Sequence, residues 1–413
     1  MDLILNNISL FAGENLDYIE NGYIVIKNGI IVKVGTGEYK TKLNENTFEG
    51  KGILVMPGFI NAHTHIGDSI GKDISVDSTF ESRIHPVHGI KNKILKRSEK
   101  NHLVTFMRSS TLSMMKKGIV VFADFREGGM HGIEQIREAI SGLSIKSIIL
   151  GRPDHYYDIS RNFYKNPKIP QHVIESIHRI LDNSDGLGIS GANENTDNSL
   201  KAYRIIIQGR SLKKKYLLAI HSSESSETEK KSSTVTGKSE VQRIIVSLLP
   251  NFIVHLTNAS DVDIKLVAKK KIGVVICPRA NATLGVGIPK ISKMLKFGCL
   301  VAIGTDNIMI NSPDMFRELD FIWKITRTLE NNTISAREIL KMSTVNGGKI
   351  LGINSGSLME GMSADMIFID KTNLDISPMH DPHVSIVHRA STNSILNVMI
   401  KGKFVDEDEL SCM

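Results

Sequence analysis

Cysteine is scarce. Cys277, Cys299 and Cys412 are the full complement, and no two form a C-x-x-C pair. That excludes a disulfide scaffold. Aromatics make up 6% of the 413 residues, with one tryptophan, Trp323. No apolar run approaches the roughly 18 residues of a membrane span. The opening Met1-Asp2-Leu3-Ile4-Leu5-Asn6-Asn7 lacks the basic-then-apolar order of a secretory signal, so a cytoplasmic protein is expected. The formal charge is +7, but Lys and Arg are spread along the chain and are not interleaved with aromatics. That pattern argues against a nucleic-acid partner, and the run Lys213-Lys214-Lys215 reads as a solvated helix end. What is present is an ordinary globular mixture, 41% hydrophobic and 23% charged. It is enough for a large core, and the length suits one large domain with a smaller one.

Both ends are rich in β-branched residues. Leu3–Phe11, Gly22–Lys27 and Ile30–Val34 read as strands, with Asn28-Gly29 as a hairpin turn. Ala364–Asp370 and Ile395–Ile400 read the same way, before a turn at Lys401-Gly402-Lys403. Between the ends, apolar runs alternate with helical patterns. The expected strands are Pro57–Ala62, Ile119–Phe125, Lys146–Arg152, Leu187–Asn193, Tyr216–His221, Phe252–His255, Gly273–Pro278 and Leu300–Thr305. Helix-length segments lie between them: Asn101–Lys117, His131–Ser141, Gln171–Leu181, Ser199–Lys214, Gly237–Leu249, Ser260–Lys270 and Pro289–Phe297. Ser312-Pro313 reads as a cap with proline at the first helical position, and Ser222–Ser233 as a polar surface loop. Eight strand–helix alternations predict an α/β fold of the (β/α)8 TIM-barrel kind, although alternation alone also fits a doubly wound sheet.

His63, His65, His221 and His255 each fall at the C-terminal end of an expected strand, and Asp306 follows the eighth. In a barrel those ends converge on one mouth. His63-Thr64-His65 has i, i+2 spacing, which puts both imidazoles on one side of a strand. Alone that motif is weak, a single histidine is usually structural, and Asp306 would serve as a turn residue. Joint placement at strand ends is what singles them out. Three histidines and an aspartate suit one zinc or ferrous ion with a position left for water, zinc ahead of iron. Glu224, three residues after His221, is placed to move protons. His255 is expected beside the metal ligands, bonding nucleophile or substrate.

Pro57-Gly58-Phe59-Ile60-Asn61-Ala62-His63-Thr64-His65 resembles the opening motif of the amidohydrolase superfamily. Cys277-Pro278-Arg279-Ala280-Asn281, Gly304-Thr305-Asp306-Asn307 and Asp314-Met315-Phe316-Arg317-Glu318 resemble the branch holding S-adenosylhomocysteine, guanine and cytosine deaminases and triazine chlorohydrolases. Gly356-Ser357-Leu358 and Gly361-Met362-Ser363-Ala364-Asp365 are similar to that family's return into its small β domain. The resemblance implies a distorted barrel over 57–353 and a β-sandwich built from 1–56 and 354–413. It implies one metal on His63, His65, His221 and Asp306, with Glu224 as proton shuttle and His255 on strand six. It also implies a homo-oligomer. Binuclear relatives carry a lysine at the end of strand four; here that end reads Ser190-Gly191-Ala192-Asn193. The relatives' tryptophan-containing stretch after the first motif is missing too, so an adenosine pocket of the usual kind is not expected.

Arg126, Arg152 and Arg279 sit at or just past strand ends two, three and seven. With Asn281 they are the expected substrate contacts, and the guanidinium forks suit an anionic small molecule. The alternative is that they pair with Glu127 and Asp154 to brace loops. Asp68–Lys96 is a long polar segment that would act as a lid or a passive insertion. The expected reaction is hydrolysis of a non-peptide C–N bond. Deamination of a purine, pyrimidine or pterin type of heterocycle comes first, with a linear or cyclic amide as the alternative. A non-catalytic scaffold should have lost a ligand or the proton shuttle, and all six residues are present.

Overall fold

The computed structural model describes residues 2–41, 45–211, 214–329, 334–406 and 409. Lys213 and Cys412 lie outside them. Eight parallel strands form the centre: Phe59–His65, Ile119–Arg126, Lys146–Gly151, Gly186–Ile189, Leu217–Ser222, Phe252–His255, Gly273–Ile276 and Val301–Ile303. They are buried almost throughout, as expected for strands covered by helices on one side and packed against each other on the other. Consecutive strands pair in order, and the chain just after strand eight, Asp306–Asn307, pairs with Thr64 and His65 of strand one. One stretch of chain therefore bonds to strand seven on one side and strand one on the other, and the sheet closes into a barrel. Helices follow the strands and bury one face each. Gln171–Asp182 buries Val173, Ile177, Ile180 and Leu181, a helical stripe in which each fully buried side chain contributes roughly 1.5–3 kcal/mol.

The two ends make a second sheet of eight strands. Leu3–Ala12, Asp17–Lys27, Ile30–Thr36, Thr47–Glu49 and Ile53–Pro57 come from the N-terminal side, and Met366–Asp370, Ile395–Ile400 and Lys403–Phe404 from the other. Asn28-Gly29 and Lys401-Gly402 are the expected turns, each with two positive φ angles. Phe48 contacts Phe404, although their strands are not neighbours in the pairing order, so the sheet folds over its own core. That core includes Leu5, Leu10, Ile24, Met366 and Phe368. The chain leaves this sheet at Pro57 and enters the barrel at Phe59.

Local expectations shift or fail in places; strand four ends at Ile189 and the helix expected over Gly237–Leu249 is Glu240–Ser247. Ser222–Ser233 is not a loop: Ser226–Thr236 is a helix, capped by Ser225 and closed by a left-handed Gly237. It has no apolar stripe to announce it, because Ser232 is its one buried residue. The helix expected from Ser312-Pro313 starts at Met315, with the Asp314 carboxylate accepting from the Arg317 N–H. The helix expected over Ser199–Lys214 is Asp197–Arg210.

Candidate active site

The strand ends gather at one mouth. His63, His65 and Asp306 offer ligand atoms within 4.8 Å of one another, as do His63, His221 and His255, and Glu224, His255 and Asp306. Strand eight reaches His63 because Gly304 has no side chain. A Cβ there would lie 2.6 Å from the His63 Cβ. Ser223, His255 and Asp306 all take positive φ values, so the mouth holds backbone strain, typically about 1–3 kcal/mol a residue.

Hydrogen bonds on the outer ring nitrogens set what each histidine presents inward. His65 Nδ1 lies 2.7 Å from Glu127 Oε1 and 3.2 Å from the Phe125 carbonyl oxygen. His221 Nδ1 lies 3.0 Å from the Ile189 carbonyl oxygen. Those partners only accept, so both rings carry the proton on Nδ1 and turn a bare Nε2 lone pair to the centre. The two Nε2 atoms are 3.2 Å apart. Burial, then Lys91, lowers the His65 pKa to about 3, and burial, then His63, pushes His221 well below its usual value. Neither lone pair is taken by a proton.

His255 is arranged the other way. The Asn281 amide nitrogen lies 3.2 Å from His255 Nδ1, and its amide oxygen accepts from Thr257 at 3.0 Å, which fixes the amide's orientation. His255 Nδ1 therefore accepts, and its Nε2–H points inward, 3.4 Å from Glu224 Oε2. Burial, and then the nearby Asp306 charge, pushes Glu224 well above the usual carboxylate range. Burial would raise Asp306 too, but the His63 contact at 3.3 Å and the nearby His255, His63 and His65 rings together outweigh it and hold that carboxyl below its usual range.

The donor set fits a divalent cation. Two facing lone pairs repel unless a cation lies between them, and Asp306 Oδ2, buried without a hydrogen-bond partner, completes the set with His63. A second cluster, Glu81, His85 and His88, has ligand-like spacing outside the strand ends. There His85 Nδ1 already accepts from the Val87 N–H at 3.2 Å.

A cavity of about 830 Å³ opens over these residues. Asp68–Lys96 forms one wall, contributing Phe80, Ile84, His85, Lys91 and Leu95, and the helix Ser226–Thr236 contributes Thr228 and Lys231. Arg126 and Arg152 line it. Arg126 is paired with Glu127 at 2.9 Å, the bracing role weighed above. Arg152 donates to the Gly188 carbonyl oxygen at 3.0 Å and its Nη1 lies 3.8 Å from Glu127 Oε1, while its Nη2 is buried without a hydrogen-bond partner. The other two expected substrate contacts stand elsewhere. Arg279 pairs with Glu318 at 3.2 Å beside a separate cavity of about 350 Å³. Asn281 is buried behind His255.

Sequence reasoning missed Glu127, Asp68 and Lys91. Glu127 orients His65, and Asp68 accepts from Asn307 at 2.7 Å and from the Met309 N–H at 3.0 Å, bracing the chain after Asp306. Glu127 directly follows strand two, so the rule that found His221 would also have found it.

The Amidohydrolase family model matches residues 54–405. A Methanothermobacter thermautotrophicus protein named "Putative aminohydrolase" is 35% identical over 403 residues, 98% of this chain and 99% of its own. A 5-methylthioadenosine/S-adenosylhomocysteine deaminase of Thermococcus sibiricus is 26% identical, over 98% of this chain and 94% of its own. The crystal structure of an adenosine deaminase from Xanthomonas campestris with bound zinc superposes with a TM-score of 0.85 at 18% identity, over 100% of this chain and 94% of the other.

Proposed function

The chain belongs to the amidohydrolase family, and from that premise we propose that it deaminates a small aminated heterocycle of purine, pyrimidine or pterin type. The observation that carries the reading is the opposed protonation of neighbouring rings. His65 and His221 present bare lone pairs at one point, while His255, next to them, presents an N–H beside the Glu224 carboxyl group. Relatives named as deaminases support the choice of reaction.

A divalent metal, zinc ahead of iron, would be held by His63, His65, His221 and Asp306, and would supply the Lewis acidity that brings a water's pKa towards about 7. Glu224 removes a proton from that water as its oxygen bonds to the ring carbon bearing the amino group. The His255 Nε2–H donates to the charge that develops. Glu224, whose burial favours its protonated form, then delivers the proton to the departing nitrogen. The C–N bond breaks and ammonia leaves; the remaining hydroxyl proton passes to the ring nitrogen, and the ring carbon becomes a carbonyl. Arg152, with its free Nη2, binds an anionic group of the substrate.

An ammonia-release screen tests the reading. Zinc-loaded protein is offered aminated purines, pyrimidines and pterins, with and without phosphate or carboxylate groups, beside a Glu224→Gln control. Release that the control lacks supports it. No release from any, with hydrolysis of an acyl or cyclic amide instead, replaces it with the amidase alternative.

A further inference from the structure

Lys91 lies on the helix Ile90–Arg97, inside the wall segment, yet it is 7% exposed. Burying an ammonium is unfavourable unless carboxylates face it. Two do. Its Nζ is 2.6 Å from Glu127 Oε1 and 3.6 Å from Asp68 Oδ2. Glu127 Oε1 is the same oxygen that stands 2.7 Å from His65 Nδ1. The other carboxylate oxygen accepts from Arg126 at 2.9 Å. Glu127 Oε1 thus lies between the His65 ring nitrogen and the Lys91 ammonium.

A lysine that merely anchored the wall would need an acceptor anywhere on the barrel rim. This one shares its acceptor atom with a ring whose orientation decides whether a lone pair reaches the centre. Without the ammonium, Glu127 keeps Arg126 on one oxygen, and the other keeps, besides His65, only the more distant Arg152 Nη1 at 3.8 Å. We infer that Lys91 is a positioning residue that acts through Glu127 to fix His65, so that docking of the wall and competence of strand one to hold a metal are one event. The inference rests on the metal reading of the site.

The test is the rate at which zinc-loaded protein gives up its metal to an excess of a chromophoric chelator, read without substrate. Folding of each variant is checked by circular dichroism. Lys91→Met and Glu127→Gln are each expected to speed release roughly 10- to 100-fold. The double variant is expected to be no faster than Glu127→Gln alone, because both changes act on one contact. Lys91→Arg, which keeps the charge, is expected to stay within about threefold of the parent. If Lys91→Met does not fold, Lys91→Gln takes its place with the same expectations. Release at the parent rate from the uncharged variant, or a double variant as fast as the product of the two single effects, overturns the inference. Protein that takes up no stoichiometric zinc overturns the metal reading instead.

Discussion

His65 and His221 face each other Nε2 to Nε2 across 3.2 Å, each with its other ring nitrogen bonded to an acceptor. Neither ring can turn without breaking a buried hydrogen bond. The repulsion between the two lone pairs is built into the fold, and it is relieved by a cation.

Metal removal should therefore cost stability as well as activity. Chelated protein is expected to unfold at a lower temperature, and returning zinc at a thousandfold excess over its Kd adds about 4 kcal/mol. Differential scanning fluorimetry with metal analysis measures both. The His221→Ala variant should show neither one zinc per chain nor the shift. A parent protein whose unfolding temperature ignores zinc would contradict this.

The Asn281 amide decides the His255 tautomer. In Asn281→Asp the donor becomes an acceptor, His255 protonates on Nδ1, and Nε2 loses the hydrogen it offers. The expected result is a kcat lower by about 10²- to 10³-fold, as for loss of one oriented donor. Zinc content should be unchanged, since Asn281 touches none of the four proposed ligands. Steady-state kinetics beside metal analysis separates this from general damage.

Arg152→Leu removes the free Nη2 from the cavity. A charge-assisted hydrogen bond is worth roughly 1.5–3 kcal/mol, so kcat/KM for an anionic substrate should fall about 10- to 100-fold, mostly through KM. An analogue without the anionic group should be turned over equally by both proteins. Equal losses on both substrates would count against the assignment.

Glu240 is buried at the start of the helix Glu240–Ser247 and accepts from the Ser223 N–H at 2.7 Å. Burial raises its pKa from 4.5 to about 8. Between those values the folded chain holds a proton that the unfolded chain has lost. Stability from this group is thus complete below about 4.5 and falls as pH rises towards about 8. Glu240→Gln keeps an acceptor for Ser223 and removes the titration. Urea unfolding at pH 5 and pH 8 should show a smaller decline in the variant than in the parent, by an amount on the order of 1–3 kcal/mol.

Much of this was legible because burial in a parallel barrel leaves a plain trace. Strands such as Ile119–Arg126 are continuous apolar runs, and a histidine at the end of such a run stands out. The ligand candidates come together for that reason, and Glu224 and His255 with them. Arg279 was read from the same rule but faces the smaller cavity, because sequence position places a residue at the rim without saying which way its side chain turns. The helix Ser226–Thr236 was illegible because it packs with polar residues. Lys91 was illegible because its partner, Glu127, is 36 positions away and belongs to another element. Contact between an insertion and a barrel rim leaves no periodicity to read.

The seam at Asp306 has a further consequence. Strand one cannot meet its last neighbour until residue 307 has been made, and Ile53–Pro57 cannot pair on one side until Met366–Asp370 exists. On the ribosome, the first histidines emerge long before the aspartate that completes their set. The nascent chain passes most of its synthesis with an open barrel and half a sheet. If Asp306 is needed to complete the proposed site, chains truncated before residue 306 should take up no stoichiometric zinc even when His63, His65 and His221 are present.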